Sequence, residues 1–138
     1  MGISELKRKL NELLEMNLVN WKSIEDRMVF LNNLKAKLKQ SQNDVQFKQF
    51  QKLIKALNHP ARVLILLAIN NGIKCPCELE FLTNLGQATI SHHLNLLEEG
   101  GLILKDREGK WTLLSPIETT IFNEVFPHSL NLVNNKHK

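Results

Sequence analysis

Two cysteines, Cys75 and Cys77, are the only thiols in this 138-residue chain, and a single residue, Pro76, separates them. The thiolate form of cysteine is the nucleophile and the soft-metal ligand. Two thiolates this close can share one soft ion or metalloid. They can also pass through a sulfenate to a disulfide, although a bridge between positions only two apart strains the preferred geometry. Zinc fits less well: it takes four N, S or O ligands, and His59, His92 and His93 show no ligand spacing to the pair. In a reducing compartment structural disulfides are rare, so the pair reads as a metal, metalloid or redox site, with plain packing of two small side chains as the bland alternative. The Cys-x-x-Cys spacing of thiol-disulfide enzymes is missing, as are nucleophile-elbow, phosphate-loop and metalloprotease motifs; no enzyme is expected.

The residues around the pair place it at a helix start. Proline is tolerated in the first helical position, and its fixed φ restricts how the two sulfurs lie. A helix N-terminus offers unpaired N–H groups and the positive end of the dipole, which favours thiolate over thiol at Cys77 in the first turn. A short helix from about Pro76 to Leu82, a turn at Thr83–Gly86 and a longer helix from Gln87 to Glu99, stopped by Gly100 and Gly101, make a helix-turn-helix pattern. On the longer helix Ile90, Leu94 and Leu97 share one face, while Ala88, Ser91, His92 and Asn95 share the opposite one. Gln87, Ser91, His92 and Asn95 are of the types that hydrogen-bond base edges in a major groove, and Thr89 suits a phosphate or a thymine methyl. Each taken singly is ordinarily a solvated surface residue; the set and its setting give the reading its weight.

Beyond the glycines, Leu102–Lys105 and Trp111–Leu114 have strand composition and flank a turn at Asp106–Lys110, where Gly109 supplies a positive φ. Arg107 and Lys110 at that tip are placed to meet phosphates or a minor groove. Upstream, Val45, Phe47, Phe50, Leu53, Ile54 and Leu57 recur at helical spacing, and Pro60 opens a largely buried helix closed by Asn70-Asn71-Gly72. Residues 3–38 carry a heptad-like pattern. It fits either a helix or helical hairpin packed on its own domain or a coiled-coil dimer element in which Asn17 fixes register, though Asn20, Trp21, Arg27 and Met28 break the seam. Past Pro116, Ile117, Ile121, Phe122 and Val125 predict a last helix.

Composition agrees with a small, mostly helical domain: 43% hydrophobic and 23% charged, with only 6% aromatic residues. The longest purely apolar run, Val63 to Ile69, is far short of the ~20 residues a membrane helix needs, and no basic-then-apolar leader pattern opens the chain. No membrane association and a cytoplasmic location are expected. The net charge of +4 is unevenly spread. Residues 1–58 hold eleven Lys and Arg against six Asp and Glu, and residues 59–138 hold seven against eight. A DNA-binding role for the second half therefore rests on local placement, with Lys35, Lys37 and Lys39 available for non-specific attraction.

The stretches "KALNHPARVLILLAI", "CPCELEFL", "QATISHHLNLLEEGGLI" and "DREGKW" together resemble the ArsR/SmtB family of metal- and metalloid-responsive repressors, over residues 45–115. The resemblance implies a winged helix-turn-helix domain at 44–116, mainly α with a small β-hairpin; the N-terminal helical extension at 1–43 has no counterpart in the minimal family domain, and the residue pattern adds a C-terminal helix and tail at 117–138. The resemblance also implies a homodimer that sits on double-stranded operator DNA and leaves when its inducer binds. Cys75 and Cys77 match the Cys-x-Cys pair of arsenite- and antimonite-responsive members, so an As(III) or Sb(III) effector is expected, with no cofactor required and zinc disfavoured. Those members often have a third thiol three residues on; here that position is Glu80, and no other cysteine exists to replace it. A thiol-redox-responsive regulator, or a helical interaction module on a winged-helix scaffold, are the alternatives.

Overall fold

The structure, a computed structural model, describes residues 1–117, and the chain divides into two compact units, Met1–Asp44 and Val45 onward. The first unit holds α1 (Ile3–Glu15) and α2 (Ile24–Ser41), packed on each other. The heptad pattern over residues 3–38 is interrupted, because Asn17 takes a left-handed conformation with φ 54° and terminates α1. Asparagine tolerates this region better than most residues. The Leu18 amide donates back to the Leu13 carbonyl at 3.1 Å, as expected where a left-handed residue closes a helix. Ser23 then starts α2 by accepting from the Asp26 amide at 3.1 Å. Two of the residues that spoil the seam pack together with Phe30: the Arg27 guanidinium lies 4.6 Å from the Trp21 ring centre and 4.5 Å from that of Phe30.

The second unit runs α3 (Val45–Leu57), α4 (Pro60–Asn70), α5 (Pro76–Thr83), α6 (Gln87–Glu99), β1 (Ile103–Glu108) and β2 (Trp111–Pro116). His59 caps α4, its Nδ1 accepting from the Ala61 amide, and Pro60 occupies the first turn, where no hydrogen bond is lost. One core joins these elements: Ala56 from α3, Ile65, Leu66 and Ile69 from α4, Leu79 from α5, Ile90, Leu94 and Leu97 from α6, and Leu102, Ile103 and Leu114 from the hairpin segment. The fold is mainly α with one two-stranded antiparallel hairpin. Its strands are longer than the sequence pattern predicts. Pairing runs from Ile103 with Pro116 to Glu108 with Trp111, so Asp106 and Arg107 lie within the ladder and only Gly109 and Lys110 turn the chain. Two-residue hairpin turns favour positive φ, which Gly109 provides at 59°.

At Gly100, which caps α6, helices α3 and α6 come so close that an added Cβ would sit 2.9 Å from the Ala56 Cβ and 3.2 Å from the Lys52 carbonyl oxygen. Both neighbours are rigid. Gly100→Ala is expected to cost about 1–3 kcal/mol of stability, as overpacking a tight contact does, measurable as a lower urea midpoint. The last helix expected after Pro116 falls on residues outside those described. Among the described residues, no single helix is long and apolar enough to cross a membrane.

Candidate nucleic-acid interface and dithiol site

Cys75 is the N-cap of α5, Pro76 follows in its first turn, and Cys77 comes next. The Cys75 Sγ accepts from the Cys77 amide at 3.3 Å, and the two sulfurs are joined in a disulfide. The Glu78 carboxylate reaches back to accept from the Cys75 amide at 3.1 Å and the Lys74 amide at 3.3 Å, closing the reciprocal cap. Cys77 is exposed and Cys75 half-buried, so solution reagents can reach the pair. Glu80 lies half-buried on the same short helix. One residue before the pair, the Lys74 carbonyl accepts from the Leu114 amide of β2 at 2.8 Å. The cysteine segment is thus tied to the wing by a backbone hydrogen bond, a link that the sequence does not disclose.

Leu79, fully buried, connects α5 to the α6 residues Ile90, Leu94 and Leu97 in the core. The turn between them is closed locally. Asn84 takes a left-handed φ of 57°, the Thr83 hydroxyl donates to the Leu79 carbonyl at 2.7 Å, and the Leu85 amide donates to that hydroxyl at 3.3 Å. With α5 braced this way, α6 presents Gln87, Thr89, Ser91, His92 and Asn95, all exposed. Asn95 differs from the rest: its Oδ1 accepts from Lys105 Nζ, and the same ammonium lies 3.6 Å from the Glu98 carboxylate. That triad fastens the wing to α6. Arg107 and Lys110 are exposed on the hairpin, and the Lys110 ammonium sits 5.2 Å from the Trp111 ring centre.

One cluster escaped the sequence reading. Arg62 and His93 are buried, at 7% and 5% exposure, and Arg62 Nη1 donates to His93 Nδ1 at 3.2 Å. The same guanidinium donates from Nε to the Ala56 carbonyl at 2.8 Å and from Nη2 to the Lys55 carbonyl at 3.1 Å, so it caps α3 while holding α6. Because an arginine only donates, His93 is neutral with its proton on Nε2. The spacing did carry a signal: His93 follows Ile90 by three residues and precedes Leu97 by four, which puts it on the buried stripe. Among the described residues, no three His, Cys, Asp or Glu side chains are grouped to hold a metal ion.

Burial, with smaller contributions from the charges of His59, Arg62 and His92, lowers the His93 pKa below its ordinary value. A depressed histidine pKa means that the unfolded chain binds the extra proton first as pH falls, so stability should decline below about pH 6.5. Chemical denaturation at pH 7.5 and 5.5 should show this loss, and His93→Gln should lessen it. An unchanged pH dependence in the variant would show that His93 is not its source.

Two helices joined by a tight turn, the second followed at once by an antiparallel wing, define a winged helix-turn-helix domain. The model of the bacterial regulatory protein, arsR family, matches residues 59–105, from the cap of α4 into the first strand. An uncharacterized HTH-type transcriptional regulator of Methanocaldococcus jannaschii is 36% identical over 67 residues, covering 48% of this chain and 75% of that protein. The arsenical resistance operon repressor of Escherichia coli K12 is 40% identical over 60 residues, covering 43% of this chain and 51% of that one. In the crystal structure of an ArsR family transcriptional regulator the fold recurs with a TM-score of 0.50 at 24% identity, over 56% of this chain and 79% of the other. The chain belongs to the ArsR family of DNA-binding transcriptional repressors.

Proposed function

We propose that the protein is a homodimeric repressor that leaves its operator when arsenite or antimonite binds Cys75 and Cys77. The observation that carries this reading is the position of the sulfurs: they open the first helix of the DNA-reading motif, on a segment bonded to the wing through Lys74 and Leu114. The donor set fits a soft metalloid, because reduction yields two adjacent thiols at a helix N-terminus, where thiolate is favoured. Solvent, Glu80 or a partner subunit would complete three-coordination. Binding that redirects the start of α5 would act on α6 through Leu79 and on the wing through Leu114. A coupling of about 1–3 kcal/mol is enough to change operator affinity roughly 5- to 150-fold.

Gln87, Thr89, Ser91, His92 and Asn95 would face base edges or phosphates, and Arg107 and Lys110 the backbone. Dimerisation is supported by α3, whose Phe47, Phe50 and Ile54 form an exposed apolar stripe at helical spacing. A two-fold pair of recognition helices would read half-sites about 34 Å apart. The test is fluorescence anisotropy of reduced protein on DNA from upstream of its own gene, at fixed salt, with and without arsenite, alongside Cys75→Ser/Cys77→Ser. Tight binding that arsenite reverses only in the wild type is expected; release from the double variant as well would sink the assignment. The disulfide favours a second reading in which oxidation of the pair, rather than a metalloid, is the signal. An oxidant that releases DNA where arsenite does not would select it.

A further inference from the structure

The hairpin of α1 and α2 leaves one helix uncovered. Leu10 of α1 is buried in the first unit, whereas α2 buries none of its residues. A unit of this size seldom closes a sufficient core of its own, and a second chain is a usual remedy. Along α2, Ile24, Leu31 and Leu38 recur every seven residues with Met28 and Leu34 between them, a stripe at helical spacing. Its second half is an open groove of Leu31, Leu34 and Leu38, flanked by Lys35, Lys39 and Gln42. Leu38 is 58% exposed. Arg27, which falls near the same stripe, holds its guanidinium against the Trp21 and Phe30 rings.

Charge along α2 is divided as well. Glu25 and Asp26 occupy the first turn, and from Arg27 to Ser41 the charged residues are all basic: Arg27, Lys35, Lys37 and Lys39. We infer that the stripe is a self-association surface, on which α2 of a second copy lies antiparallel across a two-fold axis near Asn32 and Asn33. Antiparallel pairing sets the acidic start of each helix beside the lysine-bearing end of the other, whereas parallel pairing would align three lysines with three lysines. The midpoint of α2 falls between Asn32 and Asn33, so Leu31 and Leu34 pack near the axis and Leu38 reaches towards the first turns of the other helix. A two-fold contact makes every interaction twice. Two hairpins joined in this way form a four-helix bundle, which covers the stripe. The surface belongs to a different unit from the α3 stripe, and nothing in it depends on the sulfurs.

The experiment links full-length chains with a short bismaleimide. Each chain carries Cys75→Ser/Cys77→Ser and one new cysteine: Leu34→Cys near the middle of α2, Glu25→Cys at its start or Lys39→Cys near its end. Leu34→Cys is expected to link to itself. Glu25→Cys and Lys39→Cys should each link poorly alone and well when mixed, because the antiparallel pair brings those two positions together. Adding Leu38→Asp to Leu34→Cys, at a site exposed enough to spare the hairpin, should raise the protein concentration needed for half-maximal linking about tenfold or more, the scale of losing one buried leucine contact in each chain. Self-linking at all three positions would make the pair parallel, and no linking of Leu34→Cys would leave the stripe to a different partner; either result overturns the inference. So would linking unmoved by Leu38→Asp, which would mean that α3 alone brings the chains together.

Discussion

Arg62→Met is expected to lower the free energy of unfolding by about 3 kcal/mol, since removing a buried hydrogen-bonding group costs about 1–3 kcal/mol for each partner left unsatisfied. Methionine replaces most of the volume but none of the donors. The Ala56 carbonyl at the end of α3 and Nδ1 of His93 then have lost their partner, while the Lys55 carbonyl keeps only the Asn58 amide at 3.4 Å. Urea denaturation at pH 7.5 measures the effect. Arg62→Lys, which can restore only part of the fork, should fall between the two. A loss below about 1 kcal/mol for methionine would mean that water replaces the guanidinium there, and that the joint between α3, α4 and α6 is looser than its geometry indicates.

His92→Ala and Lys110→Ala should separate base reading from phosphate attraction. His92 is exposed on α6, and its loss should weaken specific binding by about 1–3 kcal/mol while sparing non-specific DNA. Lys110 at the wing tip should weaken both alike and reduce the salt slope by about one. Titrations at several salt concentrations, on operator and on scrambled duplex, measure both quantities. Unchanged operator affinity in the two variants would place the reading surface elsewhere.

Much of the second unit could be read in advance, because its signals are local. Pro60 and Pro76 mark helix starts, the glycines after Glu99 mark a helix end, and the period of Ile90, Leu94 and Leu97 fixes which side of α6 faces inward. What stayed hidden depends on tertiary pairing. A buried arginine that caps one helix while bonding a histidine on another leaves no pattern along the chain; the spacing of His93 marks it as inward-facing but does not disclose Arg62 as its partner. The hairpin length was missed for a similar reason: Asp106, Arg107 and Glu108 look like turn residues, yet a strand whose side chains face solvent accepts charge freely. In the first unit the heptad pattern left a helical hairpin and a coiled-coil seam both open, and the break between α1 and α2 fits the hairpin. Asn17, read as a possible register device, instead ends α1.

The hydrogen bond from the Leu114 amide to the Lys74 carbonyl also makes a built-in gauge of the cysteine segment. An amide whose nitrogen lies 2.8 Å from its acceptor oxygen inside the wing exchanges its proton with solvent only when that contact opens. Its partner carbonyl belongs to the residue next to Cys75. Any event at the sulfurs that shifts this segment will therefore be recorded as faster deuterium uptake at one backbone position of β2, with or without DNA in the tube. Movement of the cysteine segment against the wing thus becomes a single exchange rate, measured separately from DNA affinity.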